Sequence, residues 1–378
     1  MNGAAFDPLD YCRPGLAELA PYKPGKPPGE LERELGVRDA VKLASNENLR
    51  GPSPKALAAL RRAIGDVHFY PDGGGHRLKE LLAARHAMAP AQITLGNGSN
   101  ELLELAARCF LGPGAAAVYS RHSFAVYALA TQASGAAARV APPLPASDAM
   151  ACGHDPEAML AQINDATAVV FIANPNNPTG TWLGEAALRG FLRKLPRRVV
   201  AVVDQAYAEY AADTDCPDAA AWLGEFPNLI VTHTFSKIFA LAGLRIGYAL
   251  SSPAMAELLN RARQPFNVNA PAQCAAAAAL GDHRHLTDSV RANAAGLVRL
   301  RDGLAQLGVA CLPSAANFLC MEIGEDAQRV YDELLARGVI VRPLANYELP
   351  RHLRVTIGLP EHNERFLDAF TAVAGAGG

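Results

Sequence analysis

One lysine and one aspartate in this chain stand where chemistry can be done. Lys237 ends Thr234-Phe235-Ser236-Lys237, into which the β-branched run Ile230-Val231-Thr232 leads through His233, and Arg245 follows eight residues later within Gly243-Leu244-Arg245-Ile246-Gly247-Tyr248. Asp204 closes the apolar run Val199-Val200-Ala201-Val202-Val203, and Tyr207 comes three residues on. In open α/β sheets ligands sit beyond the carboxyl ends of the strands, so Asp204 marks the place for a site. A lone strand-end aspartate more often caps the next helix. Its company changes the reading.

Two further segments supply that company. Ala173-Asn174-Pro175-Asn176-Asn177-Pro178-Thr179-Gly180 follows another apolar run and is a stiff turn, suited to holding a polar side chain at fixed distance from a ligand. Leu95-Gly96-Asn97-Gly98-Ser99-Asn100-Glu101 is a glycine-rich turn leading into a helix, whose first amides suit a phosphate. Glu101 breaks the Gly-x-Gly-x-x-Gly pattern of dinucleotide sites. Together these groups match the needs of pyridoxal phosphate. Its aldehyde requires an amine, Lys237, and its ring nitrogen requires a carboxylate, Asp204, so that the protonated ring can act as an electron sink. Asn177 and Tyr207 are neutral partners for the ring hydroxyl. Gly98, Ser99, Asn100, Ser236 and Arg245 are candidates for the phosphate, and Phe124 offers an aromatic face to the ring.

The elements expected to position these residues alternate short apolar runs with helical stretches, the pattern of a mostly parallel sheet covered by helices on both faces. Strands are expected at 92–95, 115–119, 168–173, 199–204 and 229–232, with helices at 54–65, 77–88 and 101–109. Beyond about 270, helices at 271–280, 285–307 and 327–337 with strands at 318–323 and 353–357 suggest a smaller α+β lobe. Residues 1–45 are Pro-rich with a short helix at 30–35 and read as an arm lying across the molecule or a partner subunit. The expected division is an arm at 1–45, a large cofactor-binding domain at 46–270 and a small C-terminal domain at 271–378.

Composition narrows the function classes. The 378 residues are 50% hydrophobic and 19% charged, with a net charge of −2 and mixed signs throughout. That is globular usage, without the basic stripe of a nucleic-acid binder. No uncharged apolar run approaches the ~18–20 residues that span a bilayer, and the N-terminus carries no signal or transit pattern, so a cytoplasmic protein is expected. Seven widely spaced cysteines with no Cys-x-x-Cys pair argue against a disulfide framework or a zinc site.

Over essentially its whole length the sequence resembles the fold-type I pyridoxal-phosphate aminotransferases, and more narrowly the histidinol-phosphate aminotransferases. The resemblance is carried by Leu19-Ala20-Pro21-Tyr22, Leu43-Ala44-Ser45-Asn46-Glu47-Asn48, Tyr70-Pro71-Asp72-Gly73, the 96–101 and 176–180 turns, Asp204 with Tyr207, Thr234 to Lys237, the Arg245 segment, Val341-Arg342-Pro343, and Leu353-Arg354-Val355-Thr356-Ile357-Gly358. It implies that Lys237 holds the cofactor covalently and then shuttles a proton, that Asp204 pairs with the ring nitrogen, and that Tyr207 and Asn177 pair with the ring oxygen. Thr234, Ser236, Arg245 and the 98–100 turn would hold the phosphate. Tyr70 would reach the cofactor of a neighbouring subunit in a homodimer. Arg354 would grip the substrate's anionic end, with Arg342, Tyr22 and Asn46 near it. The implied reaction joins a small-molecule amino donor, L-histidinol phosphate, to 2-oxoglutarate. The alternatives are an aromatic amino acid aminotransferase, a threonine-phosphate decarboxylase or lyase, and a catalytically silent binding module. Departures from the family pattern are Gln205, expected to point away from Asp204, His233, expected to pack, and the 49–52 and 346–350 segments.

Overall fold

The computed structural model describes residues 6–13, 15–21 and 24–374. Seven strands form the main sheet, in the spatial order Ile93–Gly96, Gly247–Ser251, Leu229–Thr234, Val200–Asp204, Thr167–Ala173, Ala116–Ser120 and Ala137–Ala141. All neighbours run parallel except Gly247–Ser251, which is antiparallel to both of its partners. Successive residues of the central strands enter different cores. Val170, Ile172, Ala201, Val203 and Val231 pack on one face, whereas Phe171, Ala173, Val200, Val202 and Ile230 pack on the other. This is the period-2 alternation of a strand with both faces covered, which is why these runs contain no polar partner for each apolar residue.

A four-stranded antiparallel sheet, ordered Arg342–Pro343, His352–Thr356, Phe318–Glu322 and Ala310–Cys311, forms the second lobe. The helices Ala327–Ala336 and Pro360–Ala374 pack there around Leu319, Val330, Leu334, Val355, Phe366 and Phe370.

The division of the chain differs from the expected boundary near 270. The alanine-rich helix Ala270–Leu280 buries Ala272, Ala275, Ala276 and Leu280 in the large-lobe core. The next helix, His283–Gln306, carries Leu286 and Val290 against that core and Leu300 and Leu304 into the small one. We therefore place the division inside this helix. Part of the expected arm belongs to the small lobe as well. Val41–Lys42 pairs in parallel with Val339–Ile340, Leu43 lies in the small-lobe core, and Leu31 of the helix Pro28–Leu35 packs on Leu335 and Ile340. Apolar side chains at helical spacing draw this stretch down onto the C-terminal half, a pairing too distant in sequence to be read locally.

Among the described residues no helix is long and apolar enough to cross a membrane, and no group of three or more His, Cys, Asp or Glu is placed to hold a metal.

Candidate active site

Asp204 ends its strand on the sheet face that carries Val200 and Val202, beneath the helices Gly98–Phe110 and Val126–Ala133. Thr232 lies directly across the ladder, and its hydroxyl donates to Asp204 Oδ1 at 3.0 Å. The Tyr127 hydroxyl donates to Oδ2 at 3.2 Å. Burial pushes the Asp204 carboxyl up to about 6, and the donors from Thr232 and Tyr127 and the Lys237 charge pull against that rise. A cation placed at its free edge would restore the ionised form. Sequence reasoning gave neither Thr232 nor Tyr127 a part. Thr232 had a signal, since it lies two residues before Thr234 and so shares its face.

Lys237 sits in the turn after Leu229–Thr234, anchored by the buried Phe235 and Ile238 on either side. Its Nζ donates to the Ser45 carbonyl at 3.1 Å and lies 5.6 Å from the centre of the Tyr207 ring. Burial, helped by the Arg354 and Arg245 cations, lowers its pKa to about 7. A neutral amine is thus available near neutral pH, as a nucleophile or proton carrier requires. The Tyr207 hydroxyl accepts from Asn46 Nδ2 at 2.9 Å. Asn46 is itself fixed by Thr356, whose Oγ1 accepts from the Asn46 amide at 3.0 Å and donates to Asn46 Oδ1 at 3.2 Å. Both ends of the Asn46 side chain are therefore engaged within the protein.

An anion cradle lies at the other end of the same cleft. The helix begins already at Gly98, inside the expected turn, so Ser99 and Asn100 occupy its first turn and Asn97 gives no side-chain cap. First-turn amides lack intrahelical acceptors. Gly98 has φ +74°, and a Cβ there would stand 2.5 Å from Arg245 Nη2. At Gly247 a Cβ would lie 2.8 Å from Gly98 C and Ser99 N, so the helix start approaches the sheet only because this position is glycine. Arg245 Nη1 donates to Ser236 Oγ at 3.2 Å, and Thr234 Oγ1 donates to the same oxygen at 2.9 Å.

Arg354 reaches this cleft from the small lobe. It donates to Asn177 Oδ1 and, at 2.8 Å, to the Ala44 carbonyl, while its buried Nε has no hydrogen-bond partner. Lys237, Asp204, Tyr207, Asn177, Ser99, Asn100, Phe124, Thr234, Ser236, Arg245, Asn46 and Arg354 all line one cavity of about 1090 Å³. A glycine cradle, free amides, a paired arginine, a buried carboxylate and a depressed lysine fit the phosphate, ring nitrogen and aldehyde of pyridoxal phosphate.

Comparison with known proteins agrees with this geometry. The family model described as aminotransferase class I and II matches residues 38–370. Histidinol-phosphate aminotransferase 2 of Pseudomonas aeruginosa is 54% identical over 369 residues, covering 97% of this chain and 98% of the relative. That of Methylococcus capsulatus is 55% identical over 360 residues, covering 95% and 97%. The chain belongs to the histidinol-phosphate aminotransferase family. The crystal structure of histidinol-phosphate aminotransferase from Sinorhizobium meliloti, in complex with pyridoxal-5'-phosphate, is similar with a TM-score of 0.88 and 31% identity, covering 99% of each chain.

Four expected residues of this aminotransferase lie apart from the cavity wall or outside the described chain. Tyr70 is 83% exposed and stacks on Phe266, with ring centres 4.8 Å apart. Arg342 is buried and lies opposite Arg354 in the small sheet, yet does not line the cavity. Gly98 contributes through its backbone and its missing Cβ. Tyr22 lies outside the described residues. Glu348 pairs with Arg121 at 3.7 Å. Gln205 does point away from Asp204, since its side chain donates to Pro217 O at 2.7 Å and accepts from the Ala219 amide at 3.1 Å. His233 lies on the opposite sheet face, stacked on Tyr248 with ring centres 5.0 Å apart, and burial lowers its pKa to about 3.

Proposed function

We propose that this chain is a pyridoxal-phosphate-dependent aminotransferase that moves the amino group of L-histidinol phosphate to 2-oxoglutarate, giving imidazole-acetol phosphate and L-glutamate. The observation that carries the reading is the single cleft onto which Lys237, Asp204, Arg245 and Arg354 all open. The bound cofactor supplies an electron sink and a temporary carrier for the amino group.

The chain's own residues do the rest. Lys237 Nζ, neutral above about pH 7, would hold the cofactor covalently and, once released, would move the proton from the substrate's α-carbon to the cofactor. Asp204, fixed by Thr232 and Tyr127, holds the proton on the ring nitrogen. Because Asn46 occupies an acceptor position on the Tyr207 hydroxyl, that hydroxyl's hydrogen is free to serve the ring oxygen beside Asn177. Arg245, Ser236, Thr234 and the amides of Gly98, Ser99 and Asn100 hold the cofactor phosphate, and Phe124 covers the ring. Arg354 grips the substrate's anionic end. Arg342 lies across the ladder from Arg354 in the small-lobe sheet, behind the cavity wall. The enzyme works as a homodimer in which Tyr70 serves the neighbouring copy's site, a reading supported by the exposed cluster of Val67, Phe69, Tyr70 and Phe266. Seven unpaired cysteines suit a reducing cytoplasm.

Side-by-side transamination assays with histidinol phosphate, phenylalanine, tyrosine and threonine phosphate test the substrate. The highest kcat/KM is expected for histidinol phosphate, and a higher value for an aromatic amino acid would replace the substrate in this reading.

A further inference from the structure

One set of contacts that ties the small lobe to the cleft runs through a residue so far without a part in the reaction, His122. It is buried in the segment after Ala116–Ser120, two residues before Phe124. Its Nδ1 lies 2.7 Å from the Tyr347 carbonyl oxygen. A carbonyl only accepts, so Nδ1 carries the hydrogen and donates it. The His122 carbonyl in turn accepts from Asn176 Nδ2 at 2.7 Å. The next residue, Asn177, accepts from Arg354, and Arg354 pairs across the ladder with Arg342. Residues 344–349 connect those two arginine strands and carry Tyr347, which is buried with Leu344, Leu349 and Ala125. The links therefore close a circuit. His122 joins Tyr347 of the small lobe, Asn176 joins His122 within the large lobe, and Asn177 rejoins the small lobe at Arg354.

We propose that His122 is a positioning residue whose Nδ1–H clamps the 344–349 connection and so keeps Arg354 in register with Asn177 and Phe124. Without that donor the 344–349 connection loses its hydrogen bond to the large lobe and is held there less firmly. Substrate capture then weakens, while the cofactor's own contacts, all on the large lobe, stay in place. The inference rests on the proposed function only in assigning Arg354 to substrate.

The test uses an isosteric pair in the full-length holoenzyme. His122→Asn keeps an N–H donor on the atom bonded to Cγ, and His122→Leu has the same shape without it. His122→Leu is expected to raise KM for the amino donor about tenfold, the size of one lost buried hydrogen bond. Its kcat and its dissociation constant for pyridoxal phosphate should stay within about twofold of wild type, because neither depends on that bond in this account. Amide hydrogen exchange at Tyr347, Glu348 and Leu349 should quicken in His122→Leu only, with His122→Asn close to wild type throughout. Equal KM and equal exchange in the two variants would overturn the proposal, as would a loss of cofactor affinity matching the rise in KM. If His122→Leu does not fold, His122→Ala takes its place. If the wild type does not transaminate histidinol phosphate, the functional reading fails separately. The exchange comparison alone then decides, faster exchange without the donor supporting the clamp and unchanged exchange removing it.

Discussion

Lys237 owes its depressed pKa to its surroundings, and that has a measurable sign. Desolvation and the Arg354 and Arg245 cations disfavour its charged form, so the amine is protonated below about pH 7 and neutral above it. The rate at which cofactor-free protein binds pyridoxal phosphate covalently, followed by visible absorbance, should rise through about pH 7 and then level off. Arg354→Ala removes one cation and should move that midpoint to higher pH, and a midpoint that stays or falls would contradict the assigned cause. Lys237→Ala should lose the visible band and reduce turnover by roughly 10²-fold or more, the scale of a lost general acid-base group. Asp204 behaves in the opposite sense. Burial favours its neutral form, and Thr232 and Tyr127 oppose this. Thr232→Val should therefore push the Asp204 carboxyl further up and weaken cofactor binding, measurable by equilibrium titration.

At the scale of elements, the anion cradle exists because a helix start, a turn and a neighbouring strand meet within van der Waals contact. Gly98→Ala would place a methyl group 2.5 Å from Arg245 Nη2 at a residue with φ +74°. Arg245 must then withdraw. Affinity for pyridoxal phosphate should fall by about tenfold to a hundredfold, on the scale of one or two charge-assisted hydrogen bonds. Far-ultraviolet circular dichroism should be nearly unchanged, since only the first turn of Gly98–Phe110 is affected. Unchanged phosphate affinity would show that the cradle lies elsewhere.

Over the whole molecule the cleft lies between two separately packed cores joined by the helix His283–Gln306. Phe366 is fully buried in the small-lobe core, and Phe366→Ala should cost roughly 3–5 kcal/mol. Denaturant unfolding followed in that lobe would read the loss, and a cost below about 1 kcal/mol would mean that the small core repacks freely. The exposed Val67, Phe69, Tyr70 and Phe266 cluster bears on assembly. In the proposed homodimer, replacing Phe69 with Asp should shift the protein to monomer in sedimentation at micromolar concentration. A dimer unaffected by that change would move the interface elsewhere.

The sequence by itself determined the local chemistry of this protein. Asp204 at a strand end, the Thr234 to Lys237 turn, Arg245 and the Gly98 to Asn100 turn were legible because strand periodicity and glycine-rich turns are short-range properties. They needed no knowledge of what lies across the molecule. Tertiary structure alone decided who surrounds them. Thr232 and Tyr127 reach Asp204 from 28 and 77 positions away. Asn46 meets Tyr207 across 161, and Arg354 meets Asn177 across 177. Pairings at such separations depend on ladder register and lobe packing, which no local spacing encodes. The same holds for residues 28–44, drawn into the small lobe by Val339, Ile340 and Leu335, and for Arg342, whose cross-strand partner is fixed only when its strand pairs with His352–Thr356.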